Sequence, residues 1–203
     1  MLITIITEDE FGRSIPPLLG GLETEVLTLQ QGRERDWKHS GRQLVAFCAD
    51  RPYHAIFEEL SGRLVKAELS VTFVCIAESI LTVGPLIFPG KSPCYACYRR
   101  RLLSHTGPPW SIAHEQVVQS AFDRDWNLKS PGLLPTTPIL AAARLKRHAR
   151  LAESDYGLVT QVSLTEPRWV DFKIRRVHGC GCLPSPGGSG CADMVSVVEK
   201  LLA

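Results

Sequence analysis

Two close pairs of cysteines constrain this chain more than any other feature. Cys94 and Cys97 stand in PGKSPCYACYRRR, and Cys180 and Cys182 in RRVHGCGCLP. A turn that carries two thiols brings both sulfurs to one point, and four thiolates around a tetrahedral ion make the usual structural zinc site. Such a site is closed: it ties parts of a chain together and keeps no open position for chemistry. Cys94-Tyr-Ala-Cys97 is a strong metal spacing by itself. Cys180-Gly-Cys182 is tighter than the usual two-residue gap, and Gly181 supplies the conformational freedom that such a turn needs. Cys191 or His178 could replace one ligand. Cys48 and Cys75 lie inside apolar strand-like runs and read as ordinary buried thiols. A redox pair is disfavoured, because this CxxC lacks the strand-to-helix setting of thioredoxin-like motifs.

The chain has 203 residues, 44% hydrophobic and 22% charged, which is enough to bury a sizeable core. A net charge of +2 gives no global field toward nucleic acid or membrane. The longest apolar run, LSVTFVCIAESILTVGPLIF, is broken by Ser70, Glu78 and Thr82 and reads as strands rather than a membrane span. The N-terminus has no basic stretch before its apolar run and acids directly after, which argues against a signal peptide. Paired cysteines without a secretion signal point to a reducing, cytoplasmic setting, where thiols favour metal over disulfide.

Residues 2–7, 24–29, 43–49, 70–76 and 79–83 read as strands. Residues 53–67 carry Ile56, Leu60, Leu64 and Val65 near a helical period. Residues 9–22 suggest a helix disturbed by Pro16 and Pro17, and 30–41 a polar loop. Beyond the Gly- and Pro-rich 84–93, helices are expected over 97–105, 111–122 and 138–153, the last starting at Pro138. A loop spans 123–137. Residues 157–164 and 168–177 alternate as an antiparallel hairpin, with the second cysteine pair at its end. A Gly/Pro/Ser tail and a short helix over 192–202 follow. Strands alternating with helices imply an α/β fold: a Rossmann-like parallel or mixed sheet over 1–83, and a zinc-clipped helix and hairpin half over 84–203, within a single domain.

The turn after the first strand reads Thr7-Glu8-Asp9-Glu10-Phe11-Gly12, where a dinucleotide-binding sheet carries GxGxxG. Only Gly12 remains, and three acids would repel a pyrophosphate. Glu8→Ala is therefore expected to have little effect. His39, His54, His105, His114 and His148 are scattered and read as surface or packing residues. Arg99, Arg100 and Arg101 follow the first cysteine pair. They read either as a nucleic-acid patch, with Lys146 and Arg147, or as cations that offset the formal charge of about −2 on a four-thiolate zinc site.

The stretch Val83 to Arg101 resembles the ThiF-like cyclodehydratase proteins of azole-modified peptide biosynthesis, whose block reads GPxxxPGxxPCxxCxxxR. Gly84, Pro85, Pro89, Gly90, Pro93, Cys94, Cys97 and Arg101 match it; Ala141, Ala142 and Ala143 match an Ala-rich helix, and His178, Cys180 and Cys182 the closing motif. The resemblance covers roughly 43–182, and 1–42 fits a degenerate start of the same domain. The closing pair is CxC where the family has CxxC. The resemblance implies a ThiF-type fold, structural Zn2+ on Cys94, Cys97, Cys180 and Cys182, and supporting roles behind the ligands for Arg99, Arg101 and His178. It implies no catalytic residue here. ATP is expected only on a YcaO-type partner, which forms thiazolines or oxazolines from Cys, Ser or Thr of a ribosomal precursor peptide. A homodimer is expected, and membrane or nucleic-acid binding is not. The family's leader-gripping winged-helix module and a fused YcaO region have no counterpart in these residues, so leader binding is expected on another protein or another surface. The rival readings are a divergent adenylating enzyme and a zinc-dependent nucleic-acid-binding regulator.

Overall fold

Residue 43 onward illustrates how the sheet forms. QLVAFCA is buried along its whole length, as in a parallel strand covered on both faces. Leu44, Ala46 and Cys48 face one way, and Val45, Phe47 and Ala49 the other. The computed structural model describes residues 1–38, 41–77, 79–105, 134–166, 168–178 and 180–182. Strands β1 (Leu2–Ile6), β2 (Glu23–Leu27), β3 (Gln43–Ala49) and β4 (Ser70–Ala77) run parallel. Strands β5 (Ile80–Val83), β6 (Leu158–Ser163) and β7 (Trp169–Lys173) continue the sheet antiparallel. The order across it is β2-β1-β3-β4-β5-β6-β7. The sheet is thus mixed, and its antiparallel part joins strands from both sides of residue 84.

Helices α1 (Glu10–Ser14) and α5 (Thr136–His148) pack on one face; α2 (Leu29–Glu34), α3 (His54–Lys66) and α4 (Tyr95–His105) on the other. Helix α3 buries Ile56, Phe57, Leu60 and Leu64 at helical spacing. Phe57 meets Phe47 and Phe73, with ring centroids 5.6 and 5.2 Å away. Burying each such ring is worth roughly 2–3 kcal/mol in transfer free energy.

Several expectations shift. The helix expected over 9–22 splits into α1 and a 3-10 turn at Pro16–Leu19, because the prolines cannot supply backbone donors to a continuing helix. The expected strand 24–29 stops at Leu27, and the expected loop 30–41 opens with helix α2. Its signal was in the sequence: Thr28 and Gln31 form a reciprocal capping box, with bonds of 3.1 and 2.8 Å. Helix α5 ends at His148 rather than 153, where Leu151 turns to a positive φ of 50°. The hairpin is β6 and β7, pairing Val162 with Trp169 and Leu158 with Lys173. The helices expected over 111–122 and 192–202 lie outside the described residues, as does most of the loop before α5.

Candidate metal centre

The block that leads to the first cysteine pair is held against the sheet at every step. Gly84 has φ 115°, and any Cβ there would run into the carbonyl of Leu158. Val71 and Ile87 exchange backbone bonds of 2.9 and 2.7 Å. The Ser92 hydroxyl accepts the Phe88 N–H at 2.7 Å and closes the turn. The Cys94 carbonyl then accepts the Tyr98 N–H at 3.3 Å and starts α4. Tyr95, between the two cysteines, is buried against Phe73, with ring centroids 4.2 Å apart. Its hydroxyl shares a 2.6 Å hydrogen bond with His54 Nδ1. Burial, and then the charge of Arg99, bring the His54 pKa down to about 3, so the ring stays neutral. An aromatic anchor thus fixes the helical turn from which both thiols project.

The four sulfurs converge. Cys94 Sγ lies 3.8 Å from Cys97 Sγ and 3.6 Å from Cys180 Sγ, and Cys97 Sγ lies 3.6 Å from Cys182 Sγ. All four ligand atoms fall within 4.8 Å of one another. A regular tetrahedron with Zn–S bonds of about 2.3 Å has S–S edges of about 3.8 Å. The donor set and its spacing therefore fit zinc, which Cys94, Cys97, Cys180 and Cys182 would hold. Without an ion, thiols this close cannot all ionise. Burial pushes Cys94 and Cys182 up, whereas hydrogen bonds from the backbone of Cys182 and the neighbouring thiols outweigh burial at Cys180 and bring it to about 7. A bound cation would make thiolates of all four and so couple binding to proton release. By contrast, burial raises Cys75 to about 12 and Cys48 well above its ordinary value, as suits inert core thiols.

Support for the sulfurs comes partly from a group that sequence reasoning missed. The backbone N–H of Val177 donates to Cys97 Sγ at 3.4 Å. No side-chain pattern announces a main-chain donor. Arg101 reaches across from α4: its Nε and Nη2 donate to the carbonyls of Arg175 and Arg176 at 2.7 and 3.0 Å. It clamps the segment that carries the second pair. Arg99 is buried and lies near Tyr95 and His54. His178 is exposed and stands outside the four-sulfur group. Cys191 lies outside the described residues. His148, like His54, is buried: its Nδ1 is 2.9 Å from the Thr72 hydroxyl, and burial lowers its pKa to about 4. Arg147 holds Asp155 at 2.9 Å and Asp171 at 3.1 Å.

The carboxyl ends of β1 and β3, where the chain turns to opposite sides of the sheet, are the usual ligand crevice of an open α/β sheet. Here Asp9 of the chain itself sits in it. Asp9 Oδ1 accepts the Gly12 N–H of α1 at 2.7 Å, and Oδ2 accepts the Asp50 N–H at 2.8 Å. Burial pushes the Asp9 carboxyl above its ordinary range against the pull of those two amides. Glu8 Oε1 accepts the Leu29 N–H at the start of α2, at 2.6 Å. Glu8 thus supports the start of α2 beside its cap Thr28, a structural role that the sequence did not show. Gly12 persists because a Cβ there would collide with the Thr7 side chain and come within 2.7 Å of the Cys48 carbonyl. Asp50 in turn holds Arg51 at 2.8 Å.

No protein-family model and no curated protein matches the sequence. Solved structures do match by shape. The chain is similar to the heterocyclase TruD, with TM-score 0.63 and 15% identity over 89% of this chain and 27% of that one. It is similar to a chain of the E. coli microcin synthetase McbBCD complex, with TM-score 0.63 and 11% identity over 89% and 67% of the two chains. It is also similar to E. coli MccB, with TM-score 0.60 and 11% identity over 92% and 65%; MccB is known with AMPCPP as well. The chain thus spans about a quarter of TruD and about two thirds of the McbBCD chain and of MccB. What it shares with these heterocyclase and microcin-synthetase structures is the fold.

Proposed function

We propose that the chain is a non-catalytic scaffold or activator subunit of an ATP-dependent, azoline-forming cyclodehydratase. It works in the cytoplasm with a YcaO-type partner that carries the ATP chemistry, on Cys, Ser or Thr of a ribosomal precursor peptide, and as a homodimer of a single ThiF-like domain. Zinc on the four cysteines is structural, and Arg101 holds the two zinc-bearing segments in register. The observation that carries the reading is the filled crevice. Asp9 holds the Gly12 amide of α1 and the Asp50 amide after β3, which a phosphate there would need. The shared fold with TruD and McbBCD supports the biosynthetic setting. Two of the five basic residues of the nucleic-acid reading are engaged elsewhere: Arg101 on carbonyls and Arg147 on Asp155 and Asp171.

Co-purification of the tagged chain with mass spectrometry and a zinc assay tests this. The expected result is a YcaO-type protein or a small precursor peptide, with about one zinc per chain, as a single site of four cysteines requires. Titration with magnesium and ATP should give no heat. The alternative, a divergent adenylating enzyme, draws on the fold shared with MccB, known with AMPCPP. ATP binding and turnover by the purified chain alone would establish that alternative instead.

A further inference from the structure

Among the described residues, the two edge strands of the sheet differ in character. At one end β2 carries Glu23 and Glu25, the latter paired with Arg35 at 2.7 Å. Charge of this kind is how natural proteins discourage edge-to-edge pairing. At the other end β7 reads Trp169-Val-Asp-Phe-Lys173 and is exposed along its whole length. Trp169 is 65% exposed, Val170 58% and Phe172 36%. No proline interrupts it.

The hydrogen-bond register decides which groups of β7 are free. The Ser163 N–H donates to the Arg168 carbonyl, and the Ile174 N–H to the Gly157 carbonyl, both at 2.9 Å. In an antiparallel pair such bonds fall on every second residue. Arg168, Val170, Phe172 and Ile174 therefore turn their main-chain groups toward β6. Trp169, Asp171 and Lys173 turn theirs outward. Among the described residues nothing pairs with this outer edge, which offers three residues' worth of donors and acceptors in strand geometry.

Charge narrows what can use them. The Asp171 carboxylate points back into the protein, where the Thr160 hydroxyl donates to it at 2.6 Å and Arg147 and Arg144 sit 3.1 and 3.9 Å away. Lys173 and Arg175 are exposed, with no ion pair among the described residues. Arg168 makes only a loose, exposed pair with Glu166 at 3.4 Å. The edge thus faces outward as a positive strip with an apolar flank. A second copy would meet it with the same sign of charge. We infer that the outer edge of β7 docks an extended, acidic peptide segment, which adds to the sheet as a further strand. Main-chain bonds to Trp169, Asp171 and Lys173 hold it, apolar side chains lie beside Val170 and Phe172, and carboxylates lie beside Lys173 and Arg175. The inference stands on the edge alone and goes beyond the function proposed above; if that function holds, the segment belongs to the precursor peptide.

The test is fluorescence anisotropy of the full, zinc-loaded chain with a labelled acetyl-Val-Thr-Val-Thr-Val-Glu-Asp-Glu peptide. Saturable binding that weakens as salt rises is expected. Lys173→Pro deletes an outward N–H without touching the ladder to β6. It should weaken binding at least about tenfold, the worth of one or two hydrogen bonds. Lys173→Gln, which keeps that N–H, should cost less. Lys173→Glu with Arg175→Glu should reverse the preference toward a peptide ending in three lysines. Circular dichroism and zinc content confirm that each variant is folded. No binding, or equal binding by a folded Lys173→Pro, overturns the proposal. So does sedimentation showing a dimer that Lys173→Pro dissociates, since the occupant would then be a second copy. Failure of the partner or ATP experiments above leaves this result intact, so the two readings fall separately.

Discussion

At the residue scale, the carboxylates of Glu8 and Asp9 each accept a main-chain amide. Each satisfies an amide at a helix start, where four donors otherwise lack partners. Removing one side chain leaves a donor to water, so Glu8→Ala should lower stability by about 1 kcal/mol. Urea unfolding measures it; an unchanged midpoint would mean that the bond contributes nothing in solution. The acidic turn was plain in the sequence. What the acids bind depends on Leu29 and Asp50, which the chain brings near only by folding. Tyr95 makes the same point. Sequence marks it as the residue between two ligands, but its partner His54 lies 41 residues away. Tyr95→Phe keeps the ring and deletes the hydroxyl, leaving a buried imidazole nitrogen unpaired at a cost of about 1–3 kcal/mol. Zinc content should stay at the wild-type level while the urea midpoint falls; loss of zinc would show that the hydroxyl bond is needed to set the thiols.

At the scale of elements, the sulfurs join the first turn of α4 to the segment that follows β7. Cys97→Ala removes the most buried ligand and the acceptor of the Val177 N–H together. Zinc should be lost and the thermal midpoint should fall in the same variant, because metal binding contributes directly to folding. Chelation of the wild-type chain should reproduce most of that fall. Full stability without zinc would show that the cluster is an ordinary packing of thiols. The cysteine spacing made this element legible in advance, since close thiol pairs serve few other ends in a reducing setting. Helix α2 was overlooked for the opposite reason. It is six residues long, and polar composition outweighed the capping pair Thr28 and Gln31. Strand β7 was read as reaching 177, yet after Lys173 the chain leaves the ladder to meet Arg101 and Cys97. Alternation alone carries no trace of that departure.

At the scale of the whole molecule, two buried neutral histidines on opposite faces of the sheet set a pH dependence. Their folded pKa values are about 3 for His54 and about 4 for His148, below the ordinary 6.5. Between those limits the unfolded chain binds more protons than the folded one, so stability is complete above pH 6.5 and is lost as pH falls. Each histidine contributes a slope of roughly 1.4 kcal/mol per pH unit in that window. His148→Asn, which can keep a bond to Thr72 without titrating, should shallow the fall measured by urea between pH 6.5 and 5. An unchanged slope would place the proton uptake elsewhere. The alternation of strands and helices made the parallel part of the sheet legible from the sequence, whereas the joining of β5 to β6 that makes it one mixed sheet was not, because nothing local to either strand selects a partner so far along the chain. The wide separation of the two cysteine pairs also has a consequence for synthesis. Cys94 and Cys97 leave the ribosome with only each other, and their mates follow 86 and 85 residues later. For that interval a nascent chain can offer a metal only two of the sulfurs, so lasting capture of an ion by all four would report that translation has passed Cys182.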